Sequence, residues 1–277
     1  MVFHLLVRAE LIPYEELKSY LNRTGEINHY YEKSWYLDLV GLGLNRDISQ
    51  SKSIEVFSKL SELTMLDIHD LISMTPNRFT EFFYPQHKLE DLRLYETPKH
   101  ISYRLPGDNN PKYFSGTRGN TRKICPLCLQ QNHAFLLPWS VKFITTCPYH
   151  NIKLIDICPK CHKQIFLKNY KCAYCGTSIN TFDNLETQDN IGNLLSILTW
   201  KSIGCNPFSE QIPMIPLTHH VYSISPNSLI NLIWQLLLCM NYLYPEATKT
   251  ISIGSSSLAR IHKLLREVVK LFIDWPN

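Results

Sequence analysis

Eight cysteine and histidine residues between positions 125 and 175 form four short pairs that could bind metal ions. Their spacing is C-x2-C-x18-C-x2-H-x7-C-x2-C-x10-C-x2-C. Thiolate and imidazole are ligands that zinc prefers, and each pair supplies two of them from one tight turn. Eight ligands complete two tetrahedral sites with no open position, which favours structural over catalytic zinc.

The eight ligands can be divided between two sites by sequential or by interleaved pairing. Sequential pairing joins the first pair to the second and the third to the fourth, whereas interleaved pairing, as in RING and FYVE domains, joins alternate pairs. A RING places its His and the following Cys only a few residues apart, but seven residues separate His150 from Cys158. The two longer intervals also have room for hairpins that close each site locally, so sequential pairing is favoured.

We therefore predict two structural Zn²⁺ ions in tandem zinc ribbons. The ligands of the first ion are Cys125, Cys128, Cys147 and His150. The ligands of the second ion are Cys158, Cys161, Cys172 and Cys175. His162 and His133 lie close to these residues in the sequence, but each set is complete without them.

The cysteine pattern also bears on the compartment. Seven of the nine cysteines lie in the metal pairs, which are poor disulfide partners, and this predicts a reducing, cytoplasmic location. Cys205 and Cys239 stand alone in apolar surroundings and are interpreted as buried small side chains. The first residues do not resemble a signal peptide. The longest apolar run, Leu229 to Tyr244, is too short and too interrupted to span a membrane and predicts a core helix instead.

Positive charge is concentrated around the predicted metal ligands. Residues 1–111 hold 12 Lys and Arg against 16 Asp and Glu, residues 112–175 hold 10 against 1, and residues 176–277 hold 6 against 7. Seven thiolates and two Zn²⁺ contribute −3, so the central segment keeps a charge of about +6. Such a surface suits nucleic acid or an acidic protein face, with an ordinary solvated surface as the alternative. The side chains assigned to this contact are Lys160, Lys163, Lys168, Lys171, Arg118, Arg122 and Lys123.

Helical patterns surround the metal-binding segment. Pro13 is placed in the first turn of an N-terminal helix, and Ser53 to Thr75 has the outline of a helix-turn-helix. Three further helices are predicted over Asp189–Ser202, Pro226–Tyr244 and Ser257–Trp275, the last with an apolar stripe typical of a helix docked on its own core. The predicted class is mainly α with small zinc-ribbon β elements.

This pattern divides the chain into three predicted domains. They are an N-terminal helical domain with the helix-turn-helix (1–111), a tandem zinc-ribbon module (112–180) and a C-terminal helical domain (181–277). The first boundary falls in a segment rich in Gly, Pro and Asn that follows Leu105.

The second helix of the predicted helix-turn-helix is unlike a groove reader. Such helices normally present Arg, Lys, Asn or Gln to the bases, but this one carries Asp67 and Asp70 and no permanent cation. Contact with protein, or a purely structural role, is therefore favoured over DNA reading. The common enzyme signatures (G-x-x-x-x-G-K-[ST], H-E-x-x-H, G-x-S-x-G and G-x-G-x-x-G) do not occur, so no enzymatic activity is predicted.

The metal-binding segment resembles the TniQ/TnsD family of transposon target-selection proteins, whose zinc region runs as CPxC, Trp, CPxH, Leu and a second CPxC. The matching residues are Cys125-Pro-Leu-Cys128, Trp139, Cys147-Pro-Tyr-His150, Leu154 and Cys158-Pro-Lys-Cys161. Residues Glu16 to Arg23 are similar to the E-S-L-x-S-Y-L-x-R opening of the family. Together the matches cover roughly residues 10–180.

The resemblance implies a non-catalytic adaptor that couples target recognition to bacterial transposition. Longer, TnsD-like members recognise a fixed attachment sequence in DNA. Shorter members bind to a Cascade-like CRISPR effector complex with its guide RNA, often as a homodimer, and recruit the AAA+ ATPase TnsC. The short chain and the acidic helix favour the CRISPR-guided adaptor, with a TnsD-like sequence-specific DNA-binding protein as the alternative. A RING-like ubiquitin ligase is disfavoured by the interval between His150 and Cys158.

Overall fold

The fold comes from a computed structural model. It describes residues 5, 7–30, 32, 35–42, 48, 54–79, 123–168, 170–182, 190–205, 219–244 and 257–274. These residues form eight α-helices and four strands of two residues each, which confirms the predicted mainly helical class. Internal contacts divide the chain into a first unit, Met1–His100 with Asn132–Leu137, and a second unit, Ile101–Gln131 with Pro138–Asn277. The predicted boundary at 111/112 lies outside the described residues, and the three-domain division stays a prediction.

The first unit is helical. Its helices are α1 (Leu17–Ile27), α2 (Trp35–Leu39), α3 (Ile54–Thr64) and α4 (Ile68–Ser73), and a 3-10 helix follows at Pro76–Phe79. One apolar cluster joins all four α-helices, because each contributes side chains that are almost fully buried. The largest of these side chains are the aromatic ones, Tyr20, Tyr36 and Phe57.

Helix α1 begins later than the sequence predicts. Pro13 lies in a turn rather than in the first helical turn, and the helix starts at Leu17. Tyr14 takes a left-handed conformation with φ 62°, which a continuing helix cannot include. Glu15 then pairs in an antiparallel bridge with Leu136 of the returning segment Asn132–Leu137. The extended backbone at this bridge delays the start of the helix.

A buried carboxylate fixes this helix start. Glu15 is 1% exposed and accepts hydrogen bonds from Ser19 Oγ at 2.8 Å and from Arg23 Nε at 2.9 Å. Burial raises the pKa of Glu15, while Ser19 and Arg23 oppose that shift. Ser19 Oγ also accepts a hydrogen bond from the backbone N–H of Phe135 at 2.9 Å. Ser19 and Arg23 belong to the family-like opening noted above, so part of that opening has a structural role.

Two helices occupy the predicted helix-turn-helix. Helices α3 and α4 pack on each other and are joined by three residues, the first of which, Met65, has φ 57°. Asp67 is the N-cap of α4, because its Oδ1 accepts a hydrogen bond from His69 N at 2.7 Å. The two helices lie where the sequence predicts them. Their identity as a helix-turn-helix stays a prediction.

The second unit combines two small hairpins with four helices. The helices are α5 (Pro126–Asn132), α6 (Asn190–Ser202), α7 (Pro226–Leu243) and α8 (Leu258–Asp274). Strands β1 (Thr146–Cys147) and β2 (Ile152–Lys153) pair antiparallel, as do β3 (Leu167–Lys168) and β4 (Lys171–Cys172). The last three helices end within about two residues of their predicted bounds, and α8 packs on both α6 and α7.

Helix α7 is buried on one face rather than throughout. Its buried side chains are Leu229, Ile230, Ile233, Trp234 and Leu237. Cys239 is exposed, so its interpretation as a buried side chain is wrong, whereas Cys205 is buried as expected. Two residues turn a helix by about 200°, which places Cys239 opposite Leu237. Within the described residues, no helix combines the length and the apolar character needed to cross a membrane.

Candidate metal centres

The first candidate centre brings together three sulfurs and one ring nitrogen. His150 Nδ1 lies 3.4 Å from Cys125 Sγ, 3.3 Å from Cys128 Sγ and 3.6 Å from Cys147 Sγ. Cys128 Sγ and Cys147 Sγ are 3.5 Å apart. All four donor atoms lie within 4.8 Å of one another, so this set could hold one metal ion.

The second candidate centre is made of four sulfurs. Cys158 Sγ lies 3.7 Å from Cys175 Sγ, and Cys161 Sγ lies 3.7 Å from Cys172 Sγ. These four donors also lie within 4.8 Å of one another. The two sets are those predicted by sequential pairing, and interleaved pairing is excluded because the four pairs meet in chain order.

The donor spacings fit tetrahedral coordination. Metal–sulfur bonds of about 2.3 Å and metal–nitrogen bonds of about 2.05 Å place tetrahedral ligands about 3.8 Å (S···S) and about 3.6 Å (S···N) apart. The closest measured S···S distances are 3.5 and 3.7 Å, and the S···N distances are 3.3–3.6 Å. The hydrogen bond to Cys125 raises the pKa of Cys128, and burial and repulsion from the neighbouring thiolates add to this rise. A divalent cation would remove that repulsion.

Three of the four ligand pairs share one turn. The residue after each pair has a left-handed backbone: Asn151 with φ 52°, His162 with φ 55° and Gly176 with φ 71°. In each case its N–H donates to the carbonyl of the first cysteine of the pair, at 2.8–2.9 Å. The remaining pair, Cys125 with Cys128, is the first in the sequence and instead lies at the start of α5. Local backbone structure thus aims both ligands of a pair at the same point.

This turn gives His162 a structural role. We expect His162→Gly to leave the metal content unchanged and to raise the free energy of unfolding by up to about 1 kcal/mol, because glycine accepts a positive φ without a Cβ penalty. Elemental analysis and chelator-dependent unfolding of the purified variant measure the two effects. Loss of one metal ion per chain would instead make His162 a ligand.

Neighbouring polar groups orient two of the ligands. Nε2 of His150 lies 3.2 Å from Oε1 of Gln131, a contact that leaves Nδ1 free to face the three sulfurs. The Thr177 hydroxyl lies 3.1 Å from Cys175 Sγ, and this hydrogen bond lowers the pKa of Cys175 to about 6. A lowered pKa favours the thiolate form that binds metal. Neither Gln131 nor Thr177 could be recognised from the ligand spacing.

The first centre is docked on the C-terminal helices. The backbone N–H groups of Thr145, just before β1, and of Thr146, in β1, donate to Ser196 Oγ on α6 at 3.3 and 3.2 Å. The ring of Tyr149, inside the second ligand pair, packs edge-on against Trp200 of α6 with centroids 5.8 Å apart. Folding of this part of the second unit is therefore coupled to formation of the metal centre.

Lys123 does not belong to the predicted basic surface. It is 6% exposed, and its Nζ donates to the carbonyls of Val141 at 2.6 Å and Ile144 at 2.7 Å. Burial lowers its pKa to about 7, an effect that Asp156 opposes. The residue therefore ties together the loop before β1 instead of facing a partner. Its place two residues before Cys125 gave no sign of burial.

The structure describes only some of the other residues that were assigned to the basic surface. Lys160, Lys163 and Lys171 are exposed. Lys168 lies on β3. Arg118 and Arg122 lie outside the described residues. Two motif residues between the ligands, Trp139 and Leu154, are buried at 2% and 1% exposure, so they belong to the core.

A family model described as TniQ matches residues 6–154, a little over half of the chain. The match includes the first candidate centre and ends before the second. A search of curated proteins found no match.

Proposed function

The chain belongs to the TniQ family, and on that premise we propose that it is a non-catalytic adaptor joining an RNA-guided CRISPR effector to the AAA+ ATPase TnsC. Family membership identifies a transposon-associated target-selection protein. The two partners, and a homodimeric form on the effector, are the finer part of the proposal. DNA is contacted at the selected target.

Helix α4 is the observation that supports an adaptor over a groove reader. It has only six residues, and its exposed side chains include His69 and Asp70, with Asp67 exposed at the N-cap. A recognition helix must bring donors to base edges past two rows of phosphates. Two exposed carboxylates oppose that approach but suit a basic protein surface.

The two metal ions are proposed to be structural zinc. Cysteine and histidine donors in closed four-ligand sets are typical of structural zinc, and no ligand position is left for a substrate. The supporting observation is the agreement of the donor distances with tetrahedral zinc–sulfur and zinc–nitrogen lengths. The ions would hold the two hairpins and thereby fix the lysines of the second centre.

Opposite charges in two parts of the sequence fit two different partners. Residues 1–111 have a net charge of −4, and residues 112–175 have a formal charge of about +6 with two metal ions bound, to which the buried Lys123 adds no surface charge. An adaptor must hold two macromolecules at once, so it needs two surfaces of different chemistry.

Co-elution tests the proposal. Purified metal-loaded protein should elute in size-exclusion chromatography together with the guide-RNA-loaded effector from its own operon, and it should increase loading of TnsC on guide-matched DNA. Met65 is 57% exposed between α3 and α4, so Met65→Asp should weaken one of these steps without unfolding the chain. Changing Lys160, Lys163 and Lys171 to Glu in one variant should weaken the step that Met65→Asp leaves unchanged.

Leu39→Asp is the matched control for Met65→Asp, because Leu39 is 45% exposed elsewhere in the first unit. It should leave both steps unchanged. If neither the effector nor TnsC associates with the protein at micromolar concentration, the adaptor proposal fails.

The second candidate function is sequence-specific DNA binding of the TnsD type. The exposed lysines of the second centre are the observation that favours it. That function predicts tight binding to one defined duplex, lost when residues 67–73 are changed. The adaptor instead predicts weak duplex binding that depends on salt and not on sequence, because phosphate contacts release counterions. Asp70→Ala should not weaken such binding.

A further inference from the structure

The second metal centre carries an exposed tyrosine among lysines. Its two ligand pairs are Cys158-Pro-Lys-Cys161 and Cys172-Ala-Tyr-Cys175, so Lys160 and Tyr174 take the same place in two similar turns. Both side chains are exposed, and 57% of Tyr174 is accessible. The metal ligands on either side fix the backbone that presents each of them.

A third residue, Lys163, lies against the ring of Tyr174. Lys163 follows the left-handed residue His162, and its carbonyl accepts a hydrogen bond from Cys158 N at 2.8 Å. Its Nζ lies 4.9 Å from the centroid of the Tyr174 ring, within the range of a cation–π contact. Lys171, on β4 beside Cys172, is also exposed. No Asp or Glu occurs anywhere in residues 157–182.

The equivalent tyrosine of the first centre is partly covered by a neighbouring helix. Tyr149 occupies the same place in the pair Cys147 and His150, and its ring packs against Trp200 of α6. Tyr174 differs, because its ring partner among the described residues is the Lys163 ammonium. Tyr149 is 38% exposed and has an aromatic partner, whereas Tyr174 is 57% exposed and, among the described residues, contacts only a cation with its ring.

We propose that Tyr174 is a stacking platform for an unpaired base of single-stranded nucleic acid, with Lys160, Lys163 and Lys171 contacting the adjacent phosphates. Exposed aromatic rings flanked by cations are the usual means of binding single strands, since every base has a face that can stack and every linkage carries a negative charge. Recognition of this kind tolerates any sequence. It deepens the proposed function and rests on it, since an adaptor at an RNA-guided target meets both guide RNA and displaced DNA.

Fluorescence anisotropy of the full-length, metal-loaded protein tests the inference. The probes are labelled oligothymidylate, oligouridylate and a duplex of the same length, each titrated at several salt concentrations. We expect both single strands to bind more tightly than the duplex. Tyr174→Ala should weaken single-strand binding about tenfold, whereas Tyr174→Phe should stay within about twofold because it keeps the ring. Lys163→Gln should reduce the slope of log affinity against log salt by about 0.7.

Tyr242→Ala is the matched control, since Tyr242 is an exposed tyrosine near the end of α7 and lies outside the proposed site. The affinity of this variant for the single-stranded probes should equal that of the wild type. Tighter binding of oligouridylate would identify RNA as the ligand, and tighter binding of oligothymidylate would identify DNA. Either result supports the inference.

The inference is overturned if Tyr174→Ala binds single strands as the wild type does, if the duplex binds best, or if no oligonucleotide binds. If no oligonucleotide binds, the remaining explanation of the exposed lysines is that they contact an acidic protein. Co-elution with the effector and TnsC is measured separately and decides the proposed function, so failure of this inference is distinguishable from failure of the proposed function.

Discussion

Cys158→Ser and Cys125→Ser are each expected to yield insoluble or partly unfolded protein. Each change removes one thiolate from a closed set of four donors. Structural zinc contributes on the order of 10 kcal/mol to the folding of small domains, which is comparable to the entire stability of an ordinary domain. Elemental analysis of the wild type should find two zinc ions per chain, and a chelator should unfold the second unit.

Cys239→Ser is the matched control, because Cys239 is exposed and belongs to neither ligand set. This variant should remain folded with both ions bound. In the wild type, Cys239 should react rapidly with an alkylating agent, whereas the seven ligand thiols should react only after chelation. One metal ion per chain, or a soluble and fully folded Cys158→Ser, would contradict the eight-ligand assignment.

Val268→Asp is the second change with a large expected effect. Helix α8 buries one apolar stripe against α6 and α7, and Val268 at its centre is 0% exposed. The variant loses about 2 kcal/mol of apolar burial and buries an unpaired carboxylate as well, so we expect unfolding to become easier by at least about 4 kcal/mol. Urea denaturation followed by tryptophan fluorescence measures the change, since Trp200 and Trp234 lie in the same unit.

Leu271→Asp provides the comparison on the same helix. Leu271 is 45% exposed, so this substitution should change the free energy of unfolding by less than about 1 kcal/mol. Equal stability of the Val268→Asp and Leu271→Asp variants would show that the stripe does not pack in solution. Helix α8 would then be available to a partner protein.

The metal sites could be predicted from the sequence because their determinants are local. Each C-x-x-C or C-x-x-H pair makes its own turn, and the intervals between pairs limit which pairs can meet. The amphipathic stripe of α8 was equally readable, since the periodicity of a helix assigns each side chain to a face. All seven apolar residues of that stripe are buried: Leu258, Ile261, Leu264, Leu265, Val268, Val269 and Phe272.

Residues whose environment depends on distant parts of the chain could not be predicted. Lys123 is buried because the carbonyls of Val141 and Ile144 lie about twenty residues away in the sequence but next to it in the fold. The helix start at Leu17 depends on pairing between Glu15 and Leu136. Charge counts do not distinguish a buried lysine from a surface one.

In the proposed function, this chain selects where the transposon inserts by connecting a guide-loaded effector to TnsC. The most direct measurement is sequencing of insertion junctions in cells that carry the transposon genes, with the guide sequence changed between experiments. We predict that insertions follow each new guide at a constant distance and that this targeting is lost when the chain is deleted. Insertions that stay at one fixed chromosomal site, whatever the guide, would contradict the claim.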